Sequence, residues 1–321
     1  MNAGEKTIDW LYREQLKVDD DWSVKREQGF TWWADKNAQT IEVIGSEQNE
    51  AGDSAYLISV RTDFLRNVEL TPKNLQGMNA LLMSFASMAG PVYDSNTRSL
   101  SLCSLVRVHE GIRPWISLLI SMASVLQVGE ARIMGPQAAE LFGAEPAETE
   151  HPENGWRSEP DEMANIIETL IAPVGRERCK WTASEFQQTV NQYMQRPPSL
   201  CATAGGAGLT VEFPYGNFSS LCQFQADQAH PRYGNGLLLV QSFPVGEMPE
   251  AAGANLALDL NAVELTKNPA GYGFGSFCYR DKTIHFTGFL PNVSYRSGLL
   301  PNLYFTCAAR AHRMAENLAG T

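Results

Sequence analysis

The sequence predicts an α+β protein of two tandem α-β-β-β-α-β-β-α domains, with antiparallel sheets each backed by helices. Three observations predict it. Stretches with helical and with strand-like apolar spacing alternate in one order, and that order runs twice along the chain. Pro72 and Pro249, 177 residues apart, open the middle helix of each copy. Pro114 and Pro301, 187 residues apart, stand at the start of each last helix, and the difference fits a longer hairpin in the second copy.

The first domain covers residues 1–134. Ile8, Leu11, Tyr12 and Leu16 space a helix over residues 7–17. Residues 30–33, 40–44 and 55–61 are rich in β-formers and read as three strands. Thr71 caps a helix with Pro72 at its first position, and Leu75, Met78, Leu82, Phe85 and Ala89 line one face. A polar turn at 94–97 joins two further strands as a hairpin. The last helix begins near Pro114, with Trp115, Leu118, Leu119, Met122, Val125 and Leu126 as its stripe.

Residues 135–180 change character. They are rich in Glu, Pro and Ala and read as an acidic linker, with a helical turn at 137–141 and a short amphipathic helix from Met163 to Ile171. The second domain covers 181–321. Thr182 and Glu185 form a capping box ahead of Phe186, Val190, Tyr193 and Met194. Three strands at 208–213, 220–225 and 237–243 precede the helix at Pro249. The last helix starts near Leu300.

Between those helices lies GYGFGSFCYRDKTIHFTGF, residues 271–289. Its glycines suggest a phosphate loop, but such a loop follows a strand and opens a helix. Here a polar turn at Arg280-Asp-Lys282 and a second strand come next, so the stretch is a hairpin. Bare glycine on a strand lets a helix, another backbone or an extended ligand come close.

Chemistry is sparse. A net charge of -11 disfavours nucleic acid, whose affinity leans on Lys and Arg. No signal-like N-terminus or run of about 18 apolar residues stands out, so a cytoplasmic protein without membrane insertion is expected. The six cysteines form no CxxC pair and read as reduced thiols. None of the five histidines has metal-ligand spacing; His285 lies mid-strand and His109-Glu110 in a turn. Gly273-Phe-Gly-Ser-Phe departs from GxSxG. No catalytic, cofactor or metal residue is nominated. The aromatics Trp32, Trp33, Tyr272, Phe274 and Phe289 are the candidates for binding a partner: each is either core or an exposed anchor.

The order helix, three strands, helix, two strands, helix resembles the type III secretion chaperone fold, shared with the Tir-chaperone and YbjN-type families. The resemblance is topological and covers residues 7–129 and 181–318. It implies antiparallel sheets backed by helices, no cofactor, no active site, and binding of another polypeptide. Those chaperones commonly act as dimers of one small domain, so two copies imply a monomeric pseudo-dimer or weak homodimer. The expected function is a non-enzymatic, protein-binding or chaperone-like one. The alternatives are a small-molecule-binding protein or enzyme of unfamiliar type, with a pocket between the halves lined by His285, Arg280 or Glu212, and an assembly subunit.

Overall fold

The computed structural model describes residues 1–48, 52–84, 87–165, 178–193, 202–205, 207–215 and 217–319. The protein mixes α and β structure around two antiparallel sheets. Helix α1 (Ala3–Trp10) starts earlier than its apolar spacing suggests, because Asn2 and Glu5 form a capping box and each side chain accepts the other's backbone N–H. Leu11–Gln15 prolong it as a π-turn.

Strands β1 (Ser23–Arg26), β2 (Gly29–Trp32), β3 (Gln39–Gln48), β4 (Ser54–Arg66), β5 (Gly90–Asp94) and β6 (Ser99–Val108) build the first sheet in the order β1-β2-β3-β4-β6-β5. Helix α2 (Pro72–Ser84) precedes β5, and α3 (Arg113–Phe142) follows β6. Two-residue β7 (Glu145–Pro146) adds to the end of β4. In the second half, α4 (Ala183–Tyr193) precedes β8 (Ala202–Gly205), β9 (Gly208–Tyr215), β10 (Phe218–Gln225) and β11 (Gly236–Pro244). Helix α5 (Glu250–Thr266), β12 (Ser276–Arg280), β13 (Thr283–Pro291) and α6 (Leu299–Ala319) complete it. The second sheet runs β8-β9-β10-β11-β13-β12.

Two expectations need correction. Among the described residues each half has four strands before its middle helix, not three. The extra ones, β1 and β8, lie at sheet edges, and Ser-Val-Lys-Arg and Ala-Thr-Ala-Gly carry no apolar alternation to announce them. The start of the expected linker is also ordered. Helix α3 passes through Pro136 for 30 residues, because its buried stripe continues through Ala131, Gly135, Ala138, Ala139 and Phe142. It stops at Gly143, whose φ of 63° suits a left-handed cap. Its most apolar stretch is long enough to cross a membrane by composition, but 78% of that stretch is buried inside the protein.

Beyond β7 the chain stays docked on the first half. The Asp161 N–H donates to the Ala34 carbonyl at 2.7 Å, and Arg157 donates to the Trp33 carbonyl at 2.7 Å. The helix expected over Met163 to Ile171 lies, past Asn165, outside the described residues, as do Phe85 and Met194.

The halves share one interior. The larger apolar cluster includes Ile41, Val60 and Leu119 of the first half and Leu239, Phe286 and Leu303 of the second. A smaller one joins α2 and α3 to Ala254 and Leu258 of α5. Each middle helix packs against the terminal strand of the other half: α2 on β12, and α5 on β5.

Candidate functional site

The glycine stretch sits at this joint. The Gly273 N–H donates to the Leu105 carbonyl at 2.9 Å, and Tyr272 forms a β-bridge with Val106. Residues 271–273 thus lie beside the end of β6 that β5 leaves open. A Cβ on Gly273 would stand 2.7 Å from the Leu105 oxygen, so glycine is what lets the two backbones meet. The hairpin proper starts at Ser276 and turns at Asp281 and Lys282, with φ of 48° and 63°.

On the opposite side of the joint, the Phe289 N–H donates to the Ser87 carbonyl at 3.2 Å. The outer edge of β12 is closed by side chains. Asn79 of α2 donates to the Tyr279 carbonyl and accepts its N–H, both at 2.6 Å. Asn261 of α5 does the same for Phe277, at 3.1 and 2.6 Å. Two amides thereby stand in for a neighbouring strand.

Around this joint open two clefts. The larger, about 830 Å3, is walled by Asn2, Ala3, residues 53–56, Arg107 and residues 109–112 of the first half. Ala270, Gly271, Tyr272, Asn302, Phe305 and Thr306 of the second half face them. Phe305 is 55% exposed and supplies the cleft's open apolar surface. The charged groups of its rim are mostly engaged. Arg107 holds Glu47 through two bonds of 2.6 and 3.2 Å and also reaches the Pro269 carbonyl, tying the halves together. Glu110 accepts from Lys6 at 2.6 Å and from Arg113 at 3.4 Å, and the Lys6 bond foremost holds its carboxyl below the usual range. The smaller cleft, about 620 Å3, lies beside Asn79, Tyr279, Arg280 and Lys282.

All five nominated aromatics are interior. Trp32 is 1% exposed and donates to Gln39 at 2.8 Å, inside a network with Thr62 and Ser124. Trp33 donates to Thr149 at 3.0 Å and meets the His151 ring edge-on at 4.9 Å. Phe274 and Phe289 are buried, with Phe289 against His230. Tyr272 alone borders the large cleft, edge-on to Trp115, and burial pushes its hydroxyl pKa up. None is an exposed anchor; Phe305, which the sequence did not single out, is the exposed aromatic of the cleft. His285 bonds Ser242 at 3.0 Å, and burial lowers its pKa. His285 and Glu212 line neither cleft, whereas Arg280 lines the smaller.

One sequence pattern occurs twice, in two loops. His151-Pro-Glu-Asn-Gly155 and His230-Pro-Arg-Tyr-Gly234 form the same closed loop. In each, the histidine Nδ1 accepts two backbone N–H groups, from Glu153 and Asn154 or from Arg232 and Tyr233. Each glycine has positive φ, 71° and 65°. These histidines lock turns. Among the described residues, no group of three or more His, Cys, Asp or Glu side chains could hold a metal ion. No family model, no curated protein and no solved structure matches the chain.

Proposed function

We propose that this chain is a non-enzymatic, chaperone-like protein that binds another polypeptide, and that it is a pseudo-dimer made by internal duplication. The observation that carries the reading is the shared strand order. Every strand of β1-β2-β3-β4-β6-β5 has a counterpart in β8-β9-β10-β11-β13-β12, and each middle helix crosses to the other half. That reciprocal packing is what an isologous dimer of one small domain would have. Likeness to the type III secretion, Tir-chaperone and YbjN-type chaperones is proposed on topology alone, with β1 and β8 added at the outer edges.

The large cleft is the proposed binding surface. It is open, spans both halves and offers Phe305 as an apolar contact between polar walls. Its volume also suits a small molecule, which is the second reading. Binding of a library of unstructured fluorescent peptides, read by anisotropy on the wild type and on Phe305→Asp, tests the proposal. Peptide binding that Phe305→Asp weakens by tenfold or more, about 1.4 kcal/mol, is expected. Peptides that bind both proteins equally, or thermal stabilisation by small metabolites with no peptide binding at all, would overturn it.

A further inference from the structure

Glu130 of α3 is buried at the joint. Its Oε1 accepts from the Tyr233 hydroxyl at 2.5 Å, and its Oε2 accepts from the Ser87 hydroxyl at 3.3 Å. Tyr233 belongs to the second half, in the locked 230–234 loop. Ser87 belongs to the first half, and its carbonyl receives the Phe289 N–H from β13. One carboxyl therefore touches both segments that close this side of the joint.

We propose that the joint between the halves is proton-linked, with Glu130 as the switch: neutral Glu130 holds it shut, and ionised Glu130 loosens it. The geometry explains why. On one side the carboxyl borders an apolar cavity of about 40 Å3, with Phe64, Met78, Leu102 and Phe142 in its wall. Among the described residues, the elements around that cavity, β4, α2, β5 and β6, contribute no charged side chain to it. On the other side stand Tyr233 and the nearby charge of Arg232, with His230 stacked on the Tyr233 ring at 4.5 Å. Among the described residues no cation forms an ion pair with Glu130. The neutral carboxyl can donate its proton from Oε2 to the Ser87 Oγ, whose own hydroxyl then donates to the Ala89 carbonyl at 3.4 Å. A carboxylate in that position keeps its two hydroxyl donors but has little solvent, so ionisation is costly unless the joint opens to water. Burial outweighs the Tyr233 and Ser87 bonds and lifts the Glu130 pKa to about 7.

The sign follows. The folded chain holds this proton more tightly than the unfolded chain, whose carboxyl stays near the ordinary glutamate value of 4.5. The stabilisation is complete below the unfolded value and is lost as pH rises through about 7. Over that window the folding constant falls on the order of a hundredfold. The proton link would hold whether or not the large cleft carries a polypeptide.

The test uses the full chain. Carboxyl-carbon NMR should give one glutamate titrating near pH 7, and that signal should vanish in Glu130→Gln. Hydrogen exchange at the Phe289 amide, corrected for intrinsic rate, should show an opening constant that rises about tenfold between pH 6 and pH 8 in the wild type and stays flat in Glu130→Gln. If the glutamine variant does not fold, Tyr233→Phe replaces it: losing a bond that favours the carboxylate should move the titration midpoint upward. No glutamate titrating above pH 5.5, an equal pH rise in Glu130→Gln, or an unmoved midpoint in Tyr233→Phe would each overturn the proposal.

Discussion

Replacing Asn79 by alanine tests the joint most directly. The residue is buried on α2 in the first half, yet both polar ends of its amide serve Tyr279 on β12 of the second. Alanine removes two hydrogen bonds of 2.6 Å and strands one N–H and one C=O at a strand edge. A stranded buried group costs about 1–3 kcal/mol, so the pair bounds the loss at roughly 2–6 kcal/mol. The smaller cleft borders both Asn79 and Tyr279, so water can reach the vacated site. That places the expected loss at the lower end, about 2–3 kcal/mol. The same change at Asn261, which is 0% exposed and serves Phe277, should cost more. Urea unfolding reads the effect as a lower midpoint with an unchanged slope. Hydrogen exchange at the Tyr279 amide should accelerate in Asn79→Ala. A loss below about 0.5 kcal/mol with full protection at Tyr279 would refute the idea that the side chain replaces a strand. A second half that unfolds at its original midpoint would refute the coupling across the joint.

Two further substitutions probe other parts of the same interior. Gly273→Val forces a branched side chain toward the Leu105 oxygen, 2.7 Å from the first added carbon, and should cost about 1–3 kcal/mol by thermal unfolding; an unchanged melting temperature would mean the backbones need not meet. Glu264→Gln breaks its pair with Arg310, 2.9 Å long with both side chains nearly inaccessible, and leaves a buried guanidinium over the Phe286 ring. A loss of about 3–5 kcal/mol is expected in urea, and Glu264→Gln with Arg310→Met together should recover part of it.

The class and order of elements were legible because they rest on local signals. Thr71-Pro72 declares itself through backbone preference and Arg280-Asp-Lys282 through its polarity between two apolar runs; α2 starts at Pro72 and the hairpin turns at Asp281 and Lys282. Length and edge were not legible. Pro136 looks like a helix end, but tertiary burial of Ala138, Ala139 and Phe142 outweighs its missing N–H. Strand β1 is too polar and exposed to show a periodicity. The glycines at 271–275 announced a close approach without saying to what, since Leu105 lies far away in sequence. The large cleft was hidden for the same reason: its walls run from Asn2 to Thr306, and a lone exposed Phe305 reads as one more apolar position on a helix.

Polar and apolar contacts divide the work at this joint. The shared cores supply most of the attraction between the halves, but apolar packing is not directional. Backbone-directed bonds are: Gly273 to Leu105, Phe289 to Ser87, and Asn79 to Tyr279 each fix one register of one half on the other. Bonds at three separate points leave little freedom to slide. A cleft whose walls come from both halves is then pre-formed, and a ligand entering it need not meet the cost of ordering them. Loosening any one fixing point should therefore weaken binding in the cleft even where no cleft residue changes, so Asn79→Ala should lower affinity for a cleft peptide together with stability. Lost stability with undiminished affinity would mean that the cleft belongs to one half alone.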